Sequence, residues 1–198
     1  MTEARASDRI ITIPNLVSFV RLLTIPVFWW VLLVEDNVPV AAWIVFIVGW
    51  TDWIDGFLAR RLDQVSEVGK VLDPVADRLM IASALVGGLI AGVLPVWFGW
   101  GLIGREVLVA SLALYLAARG GGTIEVRWLG KAATFALYGA IPAFYLAAAG
   151  VAEWLMEPAA WFFGILGLVL YWYVAVIYIG DSRAKLAALK SSPDTEEV

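Results

Sequence analysis

The 198-residue chain contains neither cysteine nor histidine. The first absence excludes disulfides, thiolate metal sites and cysteine nucleophiles, and the second removes the side chain that ordinarily titrates near neutral pH. Any acid-base or metal chemistry therefore rests on carboxylates, Lys, Tyr or hydroxyl groups. Charge is scarce as well: 16% of residues are charged, the net charge is -4, and the basic residues form no stripe, which argues against a nucleic-acid partner. What is abundant is apolar surface. Hydrophobic residues make up 62% of the chain, more than a water-facing domain of this size can hide, so the composition is that of a membrane protein.

A helix crosses a hydrocarbon core of about 30 Å with about 20 apolar residues. Apolar runs bounded by charge, Gly or Pro predict an all-α integral membrane protein with six transmembrane helices, near residues 12–34, 38–59, 72–93, 95–118, 129–149 and 159–180. Arg21, Arg78 and Arg105 fall inside these runs. The other Lys and Arg lie in or beside the N-terminus, the second and fourth loops and the C-terminus, and the first, third and fifth loops have none. By the positive-inside rule both termini are cytoplasmic. The N-terminus carries Glu3 and Asp8 beside Arg5 and Arg9 and lacks a signal-peptide pattern, so the first run is expected to remain as a span. The chain thus divides into an N-terminal cytoplasmic segment (1–11), a six-span domain (12–186) and a disordered acidic tail (187–198). Trp97, Trp100, Trp154 and Trp161 are expected at the interfaces, and Gly88 with Gly92, at GxxxG spacing, in close helix packing, as are Gly99, Gly101 and Gly104.

One segment breaks the apolar pattern. The second span ends with Asp52 and Asp55, three apart and so on one helix face; beyond a short loop containing Gly69, the third opens with Asp73 and Asp77, four apart and again on one face. The charge-derived orientation puts both pairs at the cytoplasmic side. Each acid costs about 3 kcal/mol at the bilayer centre on insertion scales, less near the interface. Four clustered carboxylates repel unless protonated or bound to cations. Oxygen-only ligation selects hard ions, Mg²⁺ or Mn²⁺, and four acids can serve two of them. Two other readings stay open on residues alone: salt bridges to Arg60, Arg61, Lys70 and Arg78, or an acid relay in a small cation or proton transporter.

The segment Asp52-x2-Asp55-Gly56-x2-Ala59-Arg60-x8-Gly69-x3-Asp73-x3-Asp77 resembles the signature of the CDP-alcohol phosphotransferases at all eight fixed positions over 26 residues. The resemblance covers roughly residues 10–186. It implies a membrane enzyme, usually a homodimer, that transfers a phosphatidyl group from CDP-diacylglycerol to an alcohol and releases CMP. It further implies that Asp52, Asp55, Asp73 and Asp77 hold two metal ions per subunit, and that Asp77 is also the base for the acceptor hydroxyl. By the same resemblance, Gly56, Ala59, Arg60 and Gly69 accommodate CDP-diacylglycerol. The implied location is the bacterial inner membrane, with the active site facing the cytoplasm.

The signature reads only the donor. Arg105 beside Glu106, Lys131 and Arg183 are candidates for binding an acceptor phosphate, since an arginine in mid-span is expensive unless it lines a wet cavity. Ile13-Pro14-Asn15-Leu16-Val17-Ser18-Phe19-Val20-Arg21, the Arg105-Glu106 pair, and Gly130-Lys131 with Thr134 resemble bacterial phosphatidylglycerophosphate synthases, which implies glycerol 3-phosphate as acceptor. Leu129-Gly130-Lys131-Ala132-Ala133-Thr134-Phe135 also resembles actinobacterial cardiolipin synthases, which implies phosphatidylglycerol as the alternative.

Overall fold

The computed structural model describes residues 13–62, 67–120 and 128–191; within these, the side chains of 13–15, 50, 52–62, 67–71, 74 and 188–191 lie outside the description. The described residues form six helices and no strands: α1 (Ile13–Leu33), α2 (Val38–Leu62), α3 (Glu67–Ile90), α4 (Val96–Ala118), α5 (Trp128–Ala148) and α6 (Glu153–Ser191). Among the described residues, three stretches are long and apolar enough to cross a membrane, Leu16–Leu33, Val96–Ala118 and Glu153–Ala187, and α2 carries a shorter apolar run, Val38–Gly49. In α2 and α3 the acids and bases of the signature segment interrupt the apolar sequence.

Helix ends follow local chemistry. Asn37 caps α2, its side-chain oxygen accepting from the Val40 amide at 3.1 Å. Asp36, just before it, adopts a left-handed conformation (φ 51°) that short polar residues tolerate. Gly92, Gly120 and Gly150, at φ 70–73°, follow the ends of α3, α4 and α5, where glycine reverses the chain at little steric cost. After α3 the Leu94 amide returns to the Gly88 carbonyl at 2.9 Å, and after α5 the Val151 amide returns to Leu146, also at 2.9 Å.

The boundaries of α3 and α6 depart most from those expected. α3 begins at Glu67, so Gly69 is helical instead of lying in a loop. Glu67 and Lys70 are good helix formers, but a boundary drawn from hydropathy stops at charge. α6 begins at Glu153 and passes through Pro158, which removes one backbone bond without ending the helix. At its far end α6 continues to Ser191, so Arg183 lies within it. The GxxxG expectation is also half revised: Gly88 packs closely, whereas Gly92 is a helix stop.

The chain forms two compact units. The first, Met1–Pro95 with Ala140–Ala160, is built on α1 packed against α3 and α2. Its core gathers Phe28, Leu32, Ala41, Ala42, Val45, Met80, Ala84, Ile141 and Tyr145. Lipid removes most of the hydrophobic driving force between helices, so small residues and polar bonds matter more. Ala41, Ala42 and Ala84 supply the former; the Tyr145 hydroxyl, donating to the Ala84 carbonyl at 2.8 Å, is one of the latter. In the second unit, Val96–Gly139 with Trp161–Val198, Gly101 packs on Leu168, Gly167 on Leu137 and Ala136, and the Trp172 indole donates to the Gly101 carbonyl at 3.1 Å. Trp97 stacks on Trp161 with ring centres 5.9 Å apart.

Candidate functional site

Within the first unit, α3 carries Asp73 and Asp77 one helical turn apart, both half-buried. α1 lies against this helix and presents Ser18 and Arg21, also one turn apart and both buried. The two pairs meet in register. The Ser18 hydroxyl donates to Asp73 Oδ1, and the Arg21 guanidinium donates to Asp77 Oδ1 in an ion pair. Residues three or four apart share a helix face, so α1 and α3 each need only one polar stripe for both bonds. Arg21 is 5% exposed, and an arginine so enclosed requires a charged partner.

Asp52, Asp55, Gly56, Ala59 and Arg60 lie on the C-terminal half of α2, and Gly69 lies in the first turn of α3. Their side chains are outside the described set. The link between α2 and α3 is residues 63–66, so chain connectivity keeps the end of α2 beside the start of α3. No cluster of three potential metal ligands occurs among the described residues, which include only two of the four expected acids with their side chains. The observed donors nevertheless fit a hard divalent cation: carboxylate oxygens one turn apart on one helix, held from outside by Ser18 and Arg21. The pairing of Asp77 falls to Arg21 on α1, a partner outside the four basic residues that the sequence offered for salt bridges, and Arg78 is exposed.

The second unit contains Arg105, Lys131 and Arg183. Arg105 is buried and engaged: its guanidinium lies 3.6 Å from the centre of the Tyr171 ring, its Nε donates to the Tyr171 carbonyl at 3.4 Å, and its Nη1 lies 3.3 Å from Glu106. Tyr171 completes the group by donating its hydroxyl to Glu106. Cation, carboxylate and aromatic ring thus satisfy one another. Lys131 is exposed near the start of α5, where Thr134 donates to the Gly130 carbonyl at 2.9 Å. Arg183 is exposed on α6.

Sequence reading missed Ser18 and Tyr171 as contributors, and noticed Arg21 and the Arg105-Glu106 pair without placing their partners. The signal for Arg21 was its cost inside an apolar run, which demands an acid elsewhere in the fold. Ser18, three residues before it, shares that face.

The chain is similar to known proteins over most of its length. The CDP-alcohol phosphatidyltransferase family matches residues 11–173. The chain is 38% identical over 190 residues to a cardiolipin synthase (CMP-forming) of Streptomyces coelicolor, covering 92% of this chain and 87% of that protein. It is 34% identical over 148 residues to the CDP-diacylglycerol--glycerol-3-phosphate 3-phosphatidyltransferase of Bacillus subtilis, covering 68% of this chain and 76% of that one. A protein of the same name from Shigella flexneri is 32% identical over 187 residues, covering 90% of this chain and 95% of its own length.

Proposed function

The chain belongs to the CDP-alcohol phosphatidyltransferase family, and from that premise we propose that it is a phospholipid-synthesising enzyme which moves a phosphatidyl group from CDP-diacylglycerol to a glycerol hydroxyl and releases CMP. The observation that carries this reading is the α3 acid pair, Asp73 and Asp77, held by Ser18 and Arg21 inside an intact family signature. A transporter relay would not require Gly56, Ala59 and Gly69 at their spacings.

Asp52, Asp55, Asp73 and Asp77 would hold two Mg²⁺ or Mn²⁺ ions per subunit. When bound, such ions supply Lewis-acid stabilisation of charge on the transferring phosphoryl group and the leaving CMP. Arg60 pairs with a phosphate oxygen of the donor. Gly56, Ala59 and Gly69 leave room for the nucleotide. Asp77 accepts the proton of the acceptor hydroxyl as its oxygen bonds to the phosphorus bearing diacylglycerol, while the bond from that phosphorus to the CMP oxygen breaks. This is one in-line displacement without a covalent enzyme intermediate. Arg105, Lys131 and Arg183 are the proposed cations for the acceptor's phosphate; Lys131 and Arg183 are exposed, whereas Arg105 would have to exchange its contact with Glu106 for that phosphate. The enzyme works as a homodimer in the bacterial inner membrane, with six spans, cytoplasmic termini and its active site open to the cytoplasm.

Phosphatidylglycerol is the favoured acceptor, because the Streptomyces cardiolipin synthase is 38% identical over 190 residues, whereas the phosphatidyltransferases named for glycerol 3-phosphate reach 39% over only 133 residues, or 34% and 32% over 148 and 187. This reverses the order of preference drawn from short sequence stretches alone. Glycerol 3-phosphate remains the second reading, supported by those same relatives at 34% and 32% identity. Purified protein supplied with CDP-diacylglycerol, Mn²⁺ or Mg²⁺ and each acceptor separately should release CMP with phosphatidylglycerol. Release only with glycerol 3-phosphate would move the assignment to the second reading. EDTA should stop turnover, and metal-dependent CMP release with neither acceptor would sink the proposal.

A further inference from the structure

Ser18 and Arg21 fall outside the family signature, yet they hold the two acids on which its second half depends. We propose that they are positioning residues: each engages Oδ1 of one α3 carboxylate, fixes that acid's orientation, and leaves its second oxygen outside the bond. This rests on the metal-centre reading above. Three features of the structure support it. Both α1 side chains are buried, Ser18 at 3% and Arg21 at 5% exposure, so their bonds are sheltered from competing water. The spacing is matched on the two helices, so one packing of α1 on α3 makes both bonds together. The two donors also differ in charge while performing the same geometric task.

That difference in charge makes the idea testable by sign. If Arg21 merely neutralised Asp77, removing its positive charge would leave the acids more negative and tighten cation binding. If Arg21 positions the carboxylate, removing it frees the ligand to rotate and weakens binding, as losing a partner of a metal-ligating side chain typically does by about 10–100-fold. Ser18 carries no charge, so its removal reports on positioning alone.

The full chain in detergent would be titrated with Mn²⁺ and followed by electron paramagnetic resonance, a readout independent of turnover, with CMP release measured beside it. Ser18→Ala and Arg21→Gln should each weaken Mn²⁺ binding by about 10-fold or more. Ser18→Thr, which keeps the hydroxyl, should restore it, and Arg21→Lys should recover part of the loss. Mn²⁺ binding that is unchanged in Ser18→Ala, or tighter in Arg21→Gln, overturns the proposal. Should Arg21→Gln fail to fold, the Ser18 pair decides: a loss with Ala that Thr restores supports positioning, and no loss with Ala refutes it. Failure of the underlying metal-centre reading looks different, because the unaltered protein would then neither bind Mn²⁺ nor release CMP.

Discussion

Asp73 differs from an ordinary acid in an apolar helix because a hydroxyl from a neighbouring helix already grips it. Asp73→Asn keeps the shape of the side chain but removes a charge, so CMP release should be lost while gel-filtration behaviour stays normal; full activity in this variant would remove the acid pair from the mechanism. Gly88 offers a different test. A Cβ there would lie 2.8 Å from Leu94 Cγ and 3.1 Å from the Tyr145 hydroxyl, and both neighbours are buried. Overpacking of this kind costs about 1–3 kcal/mol, so Gly88→Ala should lower the thermal midpoint of the purified protein. The sequence made the acids legible because charge in an apolar run is conspicuous. It left Ser18 illegible: a lone hydroxyl among apolar residues draws no notice until the helix opposite is known. The Arg105 site was legible as a cost, but its partner Tyr171 lies 66 residues away along the chain and could not be found from spacing.

Helices were read well where both of their ends are apolar. α1, α4 and α5 begin and end within one residue of the expected limits, because hydropathy and the turn residues agree there. α3 and α6 were misjudged at their charged ends, where helix propensity outlasts hydropathy. Gly92 shows how an identical residue serves a different purpose by position. Its φ of 70° is costly for any residue with a Cβ, so Gly92→Ala should destabilise by about 1–2 kcal/mol. Gly104, inside α4 with open space around its Cα, should accept alanine without loss. Comparing the two in thermal unfolding separates backbone strain from mere change of composition. With 39 residues, α6 is about 59 Å long, well beyond a hydrocarbon core of about 30 Å, so part of it must project into water.

Across the whole molecule, the alternation of loops with and without Lys and Arg is the feature most directly open to test, and the absence of cysteine makes the test simple. Single cysteines placed at Glu35 or Glu153 should react with a membrane-impermeant maleimide in intact cells, whereas cysteines at Arg119 or Lys185 should react only after permeabilisation. Labelling of all four from outside would contradict the six-span topology. Membership in the family was legible from eight positions because the signature is concentrated in one short segment. The acceptor was not, because its candidate cations are dispersed over three helices and no short spacing binds them together.

The bond between Arg21 and Asp77 also has a timetable. The two residues are separated by 56 positions. At about 5–20 residues per second, the arginine is incorporated roughly 3–11 s before its counter-ion. During that interval α1 carries a cation with no acid from α3 to meet it, so its settled place in the bilayer must await synthesis of the third helix. By this bond α1 is secured no earlier than α3.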